Sequence, residues 1–202
     1  MDVDAFWELV ERSDRESGTR RERLAWLENE LSRLPAEEIV DFKMWWCSVT
    51  GRLCTWDMYA VYCCTVGWGS LNGFEYFVSW LVSLGREPFE RVAECADEAI
   101  ELPQLLRLLE ILRARIANGE SPSWSEEEEP NFELLGHVTL GPYRRVTGLD
   151  TGSPGDAVRA RGVHPRFPLI ELRLGGEEWD FGDHTEMVRR LPRLARHRGI
   201  SQ

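Results

Sequence analysis

Apolar residues recur at helical spacing through the first 118 residues, and this periodicity constrains the fold more than any other feature of the chain. Phe6, Trp7 and Val10 mark a first helix for which Asp4 is a candidate cap. Thr19 with Glu22 three residues on is a capping box, opening a second helix with Leu24, Leu27, Leu31 and Leu34 on one face. After Pro35, the residues Ile39, Phe42, Trp46, Val49 and Leu53 alternate by threes and fours, the stripe of a third buried helix. Thr55 is placed to cap a fourth, running to Val66 and ended by Gly67 and Gly69. Ser70 is placed to cap a fifth, with Phe74, Phe77, Leu81 and Leu84 inward and Gly85 as its stop. Glu87-Pro88 and Leu102-Pro103 put proline in the first turn of two more. About seven helices are expected, packed as a bundle.

The period changes downstream. Phe132 to Leu140 and Tyr143 to Leu149 are rich in strand-favouring residues, and Leu169 to Leu174 and Glu178 to Phe181 flank Gly175-Gly176, a hairpin signal. Asp183 with Glu186 is positioned to cap a last helix that Pro192 should end or kink. The segment Asp150 to Gly162 reads as a mobile loop. The expected fold is therefore mainly α, a helical bundle with a small C-terminal antiparallel β-sheet plus helix. Its expected parts are a helical domain over 1–118, an acidic linker over 119–131 containing Ser121-Pro122-Ser123 and Glu126 to Glu129, and a small α+β module over 132–202.

Charge divides along the same line. Of 24 basic and 35 acidic residues, 133–202 hold 11 Arg and 9 acids, so the front carries about −13 and the tail about +2 of the net −11. An acidic front argues against nucleic acid as a partner, because such binding needs a basic face that releases counterions. The Arg-rich tail is expected to dock on the acidic front. No apolar run reaches the ~18 residues of a membrane span, and Met1-Asp2-Val3-Asp4 is acidic where a secretory signal is basic. The cytosol is the expected compartment, with no membrane partner. Five cysteines, none spaced C-x-x-C, suggest neither a disulfide framework nor a zinc site. A single lysine, Lys43, among 24 basic residues fits a GC-rich, actinobacterial source.

Phe6-Trp7-Glu8-Leu9-Val10, then Trp56-Asp57-Met58-Tyr59-Ala60, Gly73-Phe74-Glu75-Tyr76-Phe77, Trp80-Leu81-Val82 and Gly85-Arg86-Glu87-Pro88-Phe89-Glu90 form one pattern over about residues 4–95. It resembles the bacterial domain of unknown function 4240 family, which reads FWxLI, then WDLWGAAY, then DDGFxYFRxWLIxxGRexFE. The resemblance implies a small, mainly helical, soluble bacterial domain and brings no catalytic assignment. Leu71 and Asn72 stand where the family usually carries two acidic residues.

The chemistry of individual motifs is weak. Asp180-Phe181-Gly182 matches the metal-binding tripeptide of kinases, but the glycine-rich loop, strand lysine and HRD loop are missing. Gly67-Trp68-Gly69-Ser70 joins two helices and lacks both the nucleophile-elbow and phosphate-loop patterns. Asp180, Asp183, His184 and Glu186 are the best metal-like cluster, though capping accounts for two of them. His164 precedes a rigid Pro-Arg-Phe-Pro segment. Nine Trp exceed what packing needs, so some rings are candidates to line a cleft. Asp57, in the first turn of a helix beside Trp56, is the most attractive polar residue, and Arg86 is expected close to it. The candidate ligand-binding residues are Trp56, Asp57, Tyr59, Trp80 and Arg86; no catalytic residue, cofactor or metal is expected. Three readings stay open: a non-enzymatic binding or protein-interaction domain, a small enzyme or small-molecule binder using Asp57 and Arg86 in a Trp-lined cleft, and an acidic toxin-neutralising or regulatory protein. The partner is then an unidentified protein or small molecule, with a homodimer left open.

Overall fold

The computed structural model describes residues 1–119, 124–125, 127–149, 153–169, 171 and 173–200. Helix α1 (Val3–Arg15) is capped by Asp2, which accepts from the Ala5 N–H at 2.8 Å, so Asp4 falls inside the first turn. Helix α2 (Arg20–Leu31) opens on the Thr19/Glu22 capping box. Helix α3 (Ala36–Arg52) follows Pro35 and buries Ile39, Phe42, Trp46 and Val49, with Leu53 just beyond its end. Helices α4 (Trp56–Val66) and α5 (Leu71–Ser83) are capped by Thr55 and Ser70. Helix α6 (Arg86–Glu94), a 3-10 turn (Ala96–Glu101) and α7 (Pro103–Ala117) complete the front of the chain.

One residue of α2 departs from the apolar pattern. Arg23 is buried, and its guanidinium donates to Ser13 Oγ at 2.8 Å and to the carbonyls of Val10 and Ser83 at 3.0 and 2.7 Å, while pairing with Asp14 at 2.8 Å. A cation so placed is tolerated because nearly every N–H it owns finds an acceptor. The arrangement ties α1, α2 and α5 together.

The expected C-terminal sheet is not there. Among the described residues no strand forms and helix predominates, with a stretch between the helices Pro154–Ala160 and His184–Arg190 that carries neither. Residues 133–137 form a 3-10 turn (Glu133–His137) and 140–147 form α8 (Leu140–Thr147), where two strands were expected. Tertiary context overrides propensity here. Leu135 and Val138, three apart, both go inward, and the Phe132 N–H donates to the Tyr76 carbonyl at 3.1 Å, laying the segment along α5. Gly175 does not turn a hairpin: it pairs in parallel with Thr55, donating to the Cys54 carbonyl at 2.8 Å and accepting from Trp56 N–H at 3.1 Å. Ile170 and Leu172, inside an expected strand, lie outside the described residues, as do Ser121-Pro122-Ser123 and Glu126 of the expected linker. The expected loop over 150–162 contains α9 (Pro154–Ala160), capped by Ser153 with Asp156 and packed on α3 through Val158, Val40 and Cys47; residues 150–152 lie outside the described residues.

Helices α10 (His184–Arg190) and α11 (Pro192–His197) are separated by Leu191, which leaves helical geometry just ahead of Pro192. They dock on the front of the chain. Met187, Leu191 and Leu194 are buried in the same apolar cluster as Phe6, Phe42, Phe74 and Leu81, so one core draws on both parts of the sequence. Asp97, 2% exposed in the 3-10 turn, accepts the Arg193 and Leu194 N–H groups at 2.8 and 3.0 Å and so holds the start of α11. The Arg193 side chain reaches Glu98 and Glu101 at 3.0 and 2.8 Å. Among the described residues no helix is long and apolar enough to cross a membrane.

Candidate functional site

The turn between α4 and α5 is shaped by two glycines. Gly67 ends α4 at φ 84, a left-handed conformation suited to glycine, and a Cβ on Gly69 would stand 2.5 Å from Cys63 Sγ. Between them Trp68 is held outward, 67% exposed. It forms the rim of a cavity of about 350 Å³. Tyr62 and Val66 of α4, Asn72 and Tyr76 of α5, and Trp124, Glu129 and Asn131 from the segment before Phe132 line the rest.

That last segment is fastened in place. The Arg20 guanidinium donates to the carbonyls of Glu127 and Glu129 at 2.9 and 2.6 Å and also to that of Asn131. Its side chain is therefore shared among backbone acceptors of the wall. Glu127 pairs with Arg20 at 3.7 Å, and Glu128 accepts from Arg107 and Ser125 at 2.9 and 2.8 Å, so these two acids are held, not free. On the opposite wall, Gly73 makes room for Tyr62: a Cβ there would lie 2.1 Å from the phenol oxygen. Ser70 caps α5 by accepting from the Gly73 N–H at 3.0 Å, close to the Tyr62 phenol. Tyr76 donates to Glu133 at 2.9 Å.

The residues singled out from the sequence are distributed differently. Asp57, with a side chain 39% exposed, accepts from Trp179 Nε1 at 3.0 Å and faces Arg190 at 3.7 Å. These partners come from the C-terminal segment. Asp57 borders a smaller cavity of about 210 Å³ together with Trp56, Arg52 and Glu177. Trp56 and Tyr59 meet edge to face at 6.3 Å, and each also touches Phe181, at 6.3 and 5.9 Å. Trp80 is buried and stacks on Phe77 at 5.6 Å, and it lines none of the described cavities. Arg86 is not beside Asp57; it pairs with Asp4 at 2.6 Å, and its backbone N–H donates to Glu11 at 3.0 Å. The structure thus joins Trp56, Asp57 and Tyr59, and leaves Trp80 and Arg86 elsewhere.

Other motifs resolve into local structure. Asp180 accepts from Gly182 N–H at 2.8 Å in a turn, and Asp183 caps α10 through Thr185 and Glu186 N–H at 2.8 and 3.3 Å. Glu186 turns to Arg189 and Arg190, at 2.6 and 3.0 Å. Among the described residues no group of three or more His, Cys, Asp and Glu is placed to hold a metal ion. His164 and His184 are exposed. Cys63 and Cys64 are half-buried; burial first, and then the neighbouring Cys64, pushes the Cys63 thiol up to about 11, the wrong direction for a nucleophile at neutral pH. Arg198, 134 residues away in sequence, donates to Cys64 Sγ at 3.2 Å.

Comparison with known proteins adds a family. The family described as "Protein of unknown function (DUF4240)" matches residues 1–145. The chain belongs to this family. No curated protein and no solved structure matches the chain. The family span extends past the 4–95 pattern to α8 and contains every residue lining the Trp68 cavity, whereas the Asp57 partners Trp179 and Arg190 fall outside it. Sequence reasoning offered Trp68 among the tryptophans able to line a cleft, without choosing it as a ligand-binding candidate, and missed Tyr62, Tyr76, Trp124 and Glu129 beside it. The signal that pointed there was the Gly-Trp-Gly turn: a large apolar residue between two glycines has little chance of being buried by its own element.

Proposed function

We propose that the chain is a non-catalytic binding domain whose ligand enters the cavity rimmed by Trp68. One observation carries this reading: a 67% exposed indole, in the turn between Gly67 and Gly69, borders a cavity of about 350 Å³ whose other walls include Tyr62, Tyr76 and Trp124. Single exposed apolar residues are ordinary, but a convergent set of aromatic walls with a few polar groups is the usual make-up of a small-molecule site. The Asp57 cavity supports the reading less well. Its carboxylate already serves Trp179 and Arg190, which makes it a post for the C-terminal segment. In this reading the chain works in the cytosol on a small molecule, and its net charge of −11 disfavours nucleic acid.

The test is a screen of neutral, anionic and cationic small compounds against the full chain, read by tryptophan fluorescence and thermal unfolding. Hits are expected to weaken in Trp68→Ala, which alters an exposed side chain and should fold normally. If hits bind Trp68→Ala as tightly as the wild type, or if none binds at all, the reading fails.

A further inference from the structure

Resting on that reading of the Trp68 cavity, we infer that its ligand is a small organic cation carrying a methylated ammonium group. The walls supply what such a group seeks. Tyr62, Trp68, Tyr76 and Trp124 bring four aromatic rings to one cavity. A ring presents negative charge density from its face, and a methylated ammonium sheds water cheaply enough to sit against several rings at once. Glu129 adds a full negative charge on the same rim. Burial holds the Tyr62 phenol above its ordinary pKa, and the Glu129 charge adds to that effect, which places the carboxylate within electrostatic reach of the ring wall.

Equally telling is what does not line this cavity. Among the described residues no Arg or Lys borders it, and none pairs with the Glu129 carboxylate; Arg20 takes the Glu127 carboxylate and the Glu129 carbonyl instead. Four other cavities each carry arginine on their walls, Arg190, Arg21, Arg113 and Arg166 among them. In a chain with 23 arginines, a cleft that combines aromatic side chains with a carboxylate that has no ion pair among the described residues selects for positive charge and against anions, even with the Arg20 guanidinium 2.6 Å from the Glu129 carbonyl. A bare metal ion is a poor fit, since one carboxylate and two amides, Asn72 and Asn131, offer few hard ligands. A cavity of about 350 Å³ suits a head group of several carbons.

Choline and its neutral carbon isostere, dimethylbutanol, differ chiefly in charge and are the probes, titrated into the full chain by calorimetry at low and physiological salt. Choline is expected to bind at least about tenfold more tightly than the isostere. Trp68→Ala and Glu129→Gln, both at exposed positions, should each weaken choline by about three- to tenfold with no change in the circular dichroism spectrum. Asn72→Asp adds a carboxylate to the wall and should tighten it. Equal binding of choline and dimethylbutanol, or indifference of choline to Glu129→Gln and Asn72→Asp, overturns the cation inference while leaving a binding cavity. Choline binding unaffected by Trp68→Ala, or no binding by either probe while anionic or neutral screen hits respond to Trp68→Ala, also overturns it. If no compound of any charge depends on Trp68, the underlying reading falls with it.

Discussion

Removing the Asp97 carboxylate should loosen α11 and cost more stability than any surface ion pair in the protein. Asp97 is 2% exposed and accepts two backbone N–H groups, from Arg193 at 2.8 Å and Leu194 at 3.0 Å, with the Arg193 guanidinium at 3.8 Å. Hydrogen bonds to a charged acceptor are worth about 1.5–3 kcal/mol each, and a buried donor left without an acceptor costs about 1–3 kcal/mol. Asp97→Ala orphans both donors at once, in a region where Leu191 and Leu194 seal the core against water. The expected loss is about 3–5 kcal/mol, a large share of the ~5–15 kcal/mol that holds a domain together. Asp97→Asn keeps one acceptor and should lose about half as much, roughly 1.5–2.5 kcal/mol. Arg86→Ala serves as the control, because its pair with Asp4 is exposed on both sides and such pairs contribute about 0–1 kcal/mol. Urea unfolding followed by tryptophan fluorescence gives all three values on one scale. In a chain of this size the Asp97→Ala midpoint should fall by about 6–20 °C in a thermal scan. Should Asp97→Ala lie within about 0.5 kcal/mol of Arg86→Ala, the carboxylate is not what anchors the last helix and the argument from orphaned donors is wrong.

Four further outcomes follow from the geometry. Gly73→Ala drives a Cβ to 2.1 Å from the Tyr62 phenol oxygen and should destabilise by about 1–3 kcal/mol in the same urea assay, with loss of ligand binding at the Trp68 cavity. Hydrogen bonds from Arg189, then Arg190, hold the Glu186 carboxyl at about 2, below its ordinary 4.5; its stabilising effect is therefore complete above that ordinary value and lost as pH falls toward about 2, which a carboxyl-carbon NMR titration reads directly. Exposed Cys95 should be alkylated by iodoacetamide at pH ~8 well before Cys63, whose thiol burial raises to about 11; mass spectrometry of the partly modified chain decides the order. A chain ended at Asn118 forfeits Phe132, Leu135, Met187, Leu191 and Leu194 from the shared core, each worth about 1.5–3 kcal/mol, and should express as an aggregated or poorly folded product; a soluble, cooperatively melting fragment would instead support an independent front domain.

The front of the fold was legible because its signals are local. A capping box at Thr19 and Glu22, caps at Thr55 and Ser70, and the stripe from Ile39 to Leu53 each specify an element from residues that touch one another within a turn or two. The back was misread where local preference and tertiary demand diverge. Tyr143 to Leu149 has strand-like composition, yet Gly148 stops a helix there at φ 67, and Val146 and Leu149 stay exposed, so residue type alone did not decide the element. Ser153 with Asp156 was a readable capping box inside a stretch that its glycines and prolines made look like loop. At the site, Asp57 was visible as a first-turn carboxylate, but its partner Trp179 lies 122 residues downstream, and no spacing rule connects them. Arg86 was paired with Asp57 on the ground that both sit among aromatics in sequence; Asp4, on α1, is its actual partner. Trp68 is one of several tryptophans able to line a cleft, and no local signal sets it above Trp56 and Trp80, because the residues opposite it come from 124–131, more than fifty positions away.

The Arg20 grip on the segment from Glu127 to Asn131 bears on the order in which the molecule comes together. These bonds close loops of 107, 109 and 111 residues, and closing such a loop is entropically costly until the elements that carry its ends are already packed. The cavity wall should therefore arrive late in folding and leave early when the native state opens locally, an order that hydrogen exchange in residues 127–131 would read. A chain whose front helices have all formed still displays Trp68 with nothing opposite it. Whatever seats in the finished cavity binds the completed fold and none of its precursors, and by mass action it draws the last step forward. On the proposed reading, a ligand of this cavity acts as a folding cofactor: its concentration in the cell should set how much of the protein escapes proteolysis, so that abundance itself reports on supply.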